Sequence, residues 1–561
     1  MNGRKGGREP QLNRRDVLGL AMGVAAAGAL TACGGGGGNG GSGPAKAKKL
    51  VLPSPVPAHP ADGVVISKVA DVPPAFVSYP APWQSVAEKP GRGGTFTTMQ
   101  INYQPPPPTL SKNKWLQEFN RRIGATQKAT LVSDETLAPK TQTFIGSGDL
   151  PDILYLNLGK VPAAVSAVQQ GAFLDLSEYL SGSAVKDFPN LGRLPQATWK
   201  NSAIGGGLFG VPRPTPLLAN GMPLYRADWV RNMGGTFPTN ADEFAEFLKA
   251  FHDGNPTGTG QKTWSWGSVS PGDQECIMTM FGVPNLWKND GGKLVKDIET
   301  DEFEACMEWL VARWKEGSFH PNSAVNTYQQ NSDLWNSGQL GVFGYGLLPG
   351  LTYLPLTPIK GTKDVYSDVG AILSPGVKGG KGGYYQSVGN YGMFCLPAKL
   401  KGNKDRVREL LGILDYMAAP FGSEEGTFMN FGIEGHNYTL KNGQPTGSSD
   451  PKIQAEMASA YGPSPFEVNV FIPGPPSHSV EVQKLYESAV PTSIANPVVG
   501  VITPTLVAKD ADLTRIIRDG FVGIVTGRQS LSSGLKSLRR TWASQGGEKL
   551  RGEFQDALAK K

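Results

Sequence analysis

Cysteine is scarce in this 561-residue chain, with four in all: Cys33, Cys276, Cys306 and Cys395. No Cys-x-x-Cys pair is present, so a thiolate zinc site has no support. Histidine is almost as rare. His59, His252, His320, His436 and His478 are scattered and never fall into the His-Glu-x-x-His spacing of a zinc hydrolase. The chain also lacks the Gly-x-Ser-x-Gly elbow of a serine hydrolase and the Gly-x-x-x-x-Gly-Lys-Ser/Thr loop that cradles nucleotide phosphates. No cofactor is expected. Charge of one sign is likewise in short supply. The formal net charge is +6, and residues 1–16 hold five Lys/Arg against two acids, so half of that excess sits in the first sixteen positions. What remains is too weak and dispersed for nucleic-acid binding. Carboxylates are plentiful, and a pair ~5–10 Å apart in space, as glycoside hydrolysis needs, leaves no mark in a sequence.

What is present begins at the N-terminus. Arg14-Arg15 precede an uncharged run, Val17 to Ala32, which ends on the small residues of Leu30-Thr31-Ala32-Cys33. A basic start, an apolar middle and small residues at the cut make a secretory signal over 1–33. The run has 16 residues, short of the ~20 that span a bilayer. Leu-Thr-Ala-Cys resembles a bacterial lipobox, which implies cleavage before Cys33 and acylation, palmitate included, at that residue. Arg14-Arg15 resembles a twin-arginine export pair. The protein is therefore expected on the extracellular face of the cytoplasmic membrane, held by lipid on Cys33. Three cysteines then remain, an odd number. Cys276 with Cys306 is one possible pair, and three buried thiols is the other reading.

Residues 34–92 are Gly-rich, then Lys-rich, then crowded with proline, which predicts a tether and semi-rigid lead-in with a short strand at Val64-Val65-Ile66. Beyond Gly93-Gly94 the pattern becomes globular, in keeping with 39% hydrophobic and 18% charged residues. Thr95–Ile101 reads as a strand. Asp152–Leu156, after Pro151, reads as a buried parallel strand. Thr239 and Asp242 stand at N-cap and N3 spacing before an apolar face of Phe244, Phe247, Leu248 and Phe251. Further helices carry Phe303, Met307, Leu310 and Trp314; Val407, Leu410, Leu411 and Leu414; Leu513, Ile516, Ile517 and Phe521; and Leu550, Phe554 and Leu558. Short apolar strands lie between them, at Gly341–Phe343 and Val369–Leu373, so the class is α/β.

Several stretches, in order, resemble one family. They are Ser147-Gly148-Asp149-Leu150-Pro151-Asp152-Ile153, Gly171-Ala172-Phe173-Leu174-Asp175-Leu176, Leu208-Phe209-Gly210-Val211-Pro212, Leu224-Tyr225-Arg226-Ala227-Asp228-Trp229 and Phe431-Gly432-Ile433-Glu434-Gly435-His436-Asn437-Tyr438. Together they are similar to the bacterial extracellular solute-binding lipoproteins of sugar ABC importers, and to the large branch of alginate- and aldouronate-oligosaccharide binders. The resemblance implies a two-lobed, type II periplasmic-binding-protein-like fold with a cleft between lobes. The first lobe would hold residues 93–212 and about 375–470, the second 213–374 and about 471–561. It also implies a monomer without enzymatic activity that captures a carbohydrate and hands it to ABC permease subunits. Any ATPase would be a separate chain. A binder of oligopeptides or other non-sugar solutes and a surface polysaccharide hydrolase are the alternatives. In that branch a calcium loop follows the Thr239 helix. Here the loop is Asn255 to Thr263 and its carboxylates are gone, so no metal is expected.

Sugars present apolar C–H faces rimmed by hydroxyls, so their sites need flat aromatics and forked polar groups. Aromatics in loop-like contexts supply Tyr103, Trp266, Trp287, Tyr345 and Tyr391 as candidates, each with core packing as the alternative. Arg213 follows the crossover at Gly210-Val211-Pro212 and could hold a ligand or brace a hinge. Asn157 ends the Asp152–Leu156 strand, where α/β clefts bind ligands, or closes a turn. His436 lies in the Gly-Ile-Glu-Gly loop as a cleft residue or a turn residue.

Overall fold

The computed structural model describes residues 49–559, apart from 60, 103–105, 163, 219–221, 345–358 and 459–467. Strand β1 (Thr95–Ile101) opens the first lobe and leads to helix α1 (Lys114–Ile123). The buried Asn113 starts α1 by accepting the Leu116 N–H, Gly124 ends it with φ 72°, and Trp115, Phe119 and Ile123 form its buried stripe. Trp115 stacks between Phe119 and Phe428, with centroids at 5.2 and 5.4 Å. β2 (Thr126–Val132), α2 (Asp134–Ser147) and β3 (Ile153–Leu156) follow. Every residue of β3 is buried, as its apolar run between two neighbours requires.

β4 (Val211–Pro214) leaves this lobe, and the second lobe begins with β5 (Leu224–Arg226). Helix α3 (Ala241–Asp253) buries Phe244, Phe247, Leu248 and Phe251, the stripe read from the sequence. Its cap differs by one residue. Asn240, not Thr239, accepts the Asp242 and Glu243 N–H groups, and Thr239 donates its own N–H and hydroxyl to Glu243 at 2.8 Å. An amide oxygen on extended backbone at Asn240 is the better-placed acceptor. α4 (Asp301–Glu316), β6 (Val342–Phe343) and β7 (Val369–Ala371) complete the lobe's small sheet, ordered β6-β5-β7 and antiparallel throughout.

β8 (Asn390–Cys395) then returns to the first lobe and inserts between β3 and β4. The first sheet therefore runs β2-β1-β3-β8-β4, with β8 antiparallel to both neighbours. Helix α5 (Lys404–Met417) packs Val407, Leu410, Leu411 and Leu414 into the same core. α6 (Pro476–Ala489) leads to the C-terminal helices α7 (Pro504–Val525), α8 (Leu531–Trp542) and α9 (Glu548–Ala559), which close the second-lobe core. A third apolar cluster joins Leu224, Trp335 and Phe343 to Val470 and Tyr486. Cys276, Cys306 and Cys395 are free and buried.

The proline-rich lead-in is docked from residue 49 onward. Leu50 and Leu52 pack on the first core, and Ser54 and Val56 donate to the carbonyls of Gly182 and Gly192. Val64–Val65 pairs with Ala75–Phe76, as the sequence pattern predicts for that strand. Phe76 and Val470 then exchange backbone bonds with each other's neighbourhood, and Ala75 is fully buried in the third cluster. Tyr79 sits among Phe421, Phe431 and Phe471 and bonds Thr427 at 2.7 Å. Ser85 donates twice to the buried Glu425. This strap replaces an exposed linker because its apolar residues meet matching faces that only the folded lobes create.

Candidate functional site

The two crossing strands lie side by side. β4 is the sheet's edge, where Pro212 and Pro214 can sit without breaking a central ladder. Past the strand ends, Thr215 N–H donates to Gly389 at 3.2 Å and Ser387 N–H to Leu217 at 2.7 Å. The register slips between Asn390 and Met393, and Tyr391 lies within this bulge. Gly392 permits it, with φ 90° and no room for a Cβ beside Tyr155.

Three of the residues expected to bind ligand converge here: Asn157, Arg213 and Tyr391. Arg213 is 3% exposed, and its guanidinium lies 5.8 Å from the Tyr391 ring centroid. Lys160 Nζ lies at 5.8 Å from the same ring, within cation–π range. Lys160 also pairs with Asp134 at the start of α2. Burial pulls the Lys160 pKa down, but Tyr391 and Asp134 together outweigh it and hold the ammonium above its ordinary value. Asn157 Nδ2 reaches the Tyr155 hydroxyl at 3.4 Å, and its Oδ1 accepts the Lys160 N–H at 3.1 Å, so it serves the turn as well as the cluster. The arrangement offers one aromatic face, two cations and a forked amide beside the carboxyl end of β3, where α/β clefts take ligands.

In the second lobe, Trp266 lies beside the end of β6. It lines a small pocket with Asp273, Tyr328, Asn331 and Gly344. Its backbone N–H is fixed on Ser318 at 3.1 Å, and the indole is 2% exposed. Trp287 is buried differently. It meets Trp542 and Phe554 edge-on, at 5.8 and 5.7 Å, with Lys296 over its ring, and is only 4% exposed. Its surroundings are core, not an open face. His436 Nε2 stands 3.0 Å from Glu456 Oε2, which also accepts the Trp115 N–H. The imidazole thus joins its loop to the start of α1. Tyr103, Tyr345 and Cys33 lie outside the described residues.

Tyr155, Lys160 and Asp134 were not singled out by the sequence. Tyr155 occupies a strand buried at every position and reads as core; nothing local reveals that its hydroxyl reaches β8. In the loop after α3, Asn255 Oδ1 accepts the Gly260 N–H at 2.9 Å, and the Thr257 and Thr259 hydroxyls bond at 2.9 Å. Amide and hydroxyl groups close this loop from within.

Residues 108–402 match the profile of a family described as bacterial extracellular solute-binding protein. Lipoprotein LipO of Bacillus subtilis is 26% identical over 460 residues, covering 78% of this chain and 87% of its own. The polygalacturonan/rhamnogalacturonan-binding protein YtcQ of the same bacterium is 23% identical over 474 residues, with 82% and 90% covered. Among solved structures, alginate-binding protein AlgQ2 without calcium ion superposes with TM-score 0.63 at 16% identity, over 85% of this chain and 100% of that one. The Streptococcus pneumoniae substrate-binding protein FusA in complex with kestose gives 0.60 at 16% identity, over 83% and 99%. At such identities the superpositions establish a shared fold, the two-lobed α/β architecture described above.

Proposed function

Because the chain belongs to the bacterial extracellular solute-binding protein family, we propose that it captures a carbohydrate, in the form of an oligosaccharide, and delivers it to the permease of an ABC importer. The observation that carries this reading is the cluster at the crossing strands. Tyr391 offers a ring face for a sugar's C–H surface, and Arg213 and Asn157 offer forked polar groups for its hydroxyls. Ligand bound there bridges residues beside a hinge, so it stabilises the closed arrangement of the lobes, and the permease selects that form. The names of YtcQ and FusA, a polygalacturonan/rhamnogalacturonan-binding protein and a fructooligosaccharide ABC transporter substrate-binding protein, support the ligand class. The name of LipO supports anchoring by lipid on Cys33, with the twin-arginine route as the path of export. In this reading the protein is a monomer and releases its ligand unchanged, with no cofactor or metal.

The test is calorimetry and tryptophan fluorescence on the soluble chain from about residue 45, titrated with neutral and uronic-acid oligosaccharides and followed by chromatography of the recovered ligand. Saturable binding of one intact ligand per chain is expected. Failure to bind any saccharide removes the carbohydrate assignment, and a cleaved ligand replaces binding by hydrolysis.

A further inference from the structure

The pocket at the end of β6 says something about ligand charge. Its cavity of about 10 Å³ has room for roughly one oxygen atom. Two residues of its lining, Trp266 and Asn331, each carry a buried polar atom, Nε1 and Oδ1, with no hydrogen-bond partner in the structure. One is a donor and the other an acceptor. Trp266 is 2% exposed and Asn331 7%. Asp273 stands next to them. Its Oδ2 accepts the Ser270 hydroxyl at 2.6 Å, and its Oδ1 lies where a Cβ on Gly344 would come within 2.8 Å. No lysine, arginine or histidine is among the described residues of the lining. Glu275 follows two positions on, its pKa pushed up to about 7 by burial and by the Asp273 charge.

We propose that this pocket is a subsite for a single neutral hydroxyl group of the ligand and rejects a uronate carboxylate. The inference rests on the carbohydrate reading above. A hydroxyl donates and accepts at once, so one oxygen satisfies both Trp266 Nε1 and Asn331 Oδ1. A carboxylate brings two oxygens and no proton. It overfills the cavity, leaves Asn331 Oδ1 without a donor and faces the Asp273 charge in a setting that screens it poorly. Lobe two therefore sets specificity by subtraction.

The experiment compares matched pairs of oligosaccharides, each uronate oligomer against its carboxyl-reduced neutral form, by calorimetry at pH 7.5 on the exported chain. The wild type is expected to bind the neutral member at least tenfold more tightly. Trp266→Phe, which keeps the ring and removes the N–H, is expected to lose about tenfold toward neutral ligand. Asp273→Asn is expected to narrow the preference by raising uronate affinity. Equal or tighter uronate binding by the wild type overturns the proposal without any variant. A neutral preference that survives unchanged in both folded variants also overturns it and leaves the pocket to a resident water. Absence of binding to every member of the panel defeats the carbohydrate reading itself, an outcome distinct from the other two.

Discussion

The buried phenol of Tyr155 donates its hydrogen to the backbone carbonyl of Tyr391, 236 positions later in the chain. It links the strand before the first crossing to the bulge in the strand that returns. The ring of Tyr391, with Arg213 and Lys160 near it, takes its position from that bond.

Tyr155→Phe keeps the packing ring and deletes the hydroxyl, and with it both the bond to Tyr391 and the weaker contact from Asn157 Nδ2. The Tyr391 carbonyl then loses a partner, at a cost of about 1–2 kcal/mol in unfolding free energy. Ligand affinity is expected to fall about tenfold as the platform loosens, by the correspondence of ~1.4 kcal/mol to a factor of ten. Urea unfolding and calorimetry measure the two effects separately. A stability loss without any change in affinity would detach Tyr391 from the site.

Two glycines of the hinge separate strain from crowding. Gly392 has φ 90°, and a Cβ on it would lie 2.8 Å from both the Leu156 carbonyl oxygen and a carbon of the Tyr155 ring. Gly389 has φ 73° with nothing within 4 Å. Gly389→Ala is expected to cost about 1 kcal/mol from backbone strain alone. Gly392→Ala adds steric overlap and is expected to cost about 2–4 kcal/mol. Denaturant midpoints of the two variants check the difference.

Stability should depend on pH through Asp415. Burial raises its pKa to about 7, although the Leu191 and Asn190 N–H groups partly stabilise the charge. The folded form therefore holds this proton to higher pH than the unfolded chain does. Stability is expected to fall as pH rises from about 4 to about 7 and to stay low above that. Asp415→Asn retains an oxygen acceptor for both N–H groups and should flatten this slope, with a higher melting temperature than the wild type at pH 8. Glu118 works in the opposite sense. Chiefly through its hydrogen bond to Arg121, its pKa is lowered to about 2, so its contribution is present above about pH 4.5 and disappears as pH falls toward 2. Thermal melts across pH 3–8 report both arms.

Removal of residues 49–92 should disable the fold, because the strap fills apolar sites on the first core and the third cluster. A chain starting at Gly93 would expose the faces that Leu50, Ala75 and Tyr79 cover. It is expected to show rapid proteolysis near residues 421–431 and 470–472, whereas a chain starting at residue 45 resists.

Local patterns in the sequence fix local structure. The Asp152–Leu156 run, the α3 stripe and the Gly210-Val211-Pro212 crossover emerge where periodicity and turn chemistry place them. Asn157 and Arg213 were legible as site candidates because each flanks a strand end or a crossing, and Tyr391 because it is an aromatic in a loop-like stretch. Trp287 was misleading because the ring partners that bury it, Trp542 and Phe554, belong to C-terminal helices with no local trace beside it. Tyr155 was invisible for the converse reason: a core strand conceals a hydroxyl whose acceptor arrives from a distant return.

The strap also sets the order in which the chain can finish folding. Ser67 bonds Glu487, 420 residues away, and Gln483 bonds the carbonyls of Val65 and Pro73 across 418 and 410 residues. At ordinary rates of synthesis, about 5–20 residues per second, this part of the strap waits roughly 20–80 s before its partners exist. Residues 65–73, made early, are thus among the last to dock, which places a long-range closure at the end of folding. Throughout that interval its proline spacing keeps an apolar segment from pairing as a strand with neighbouring chains.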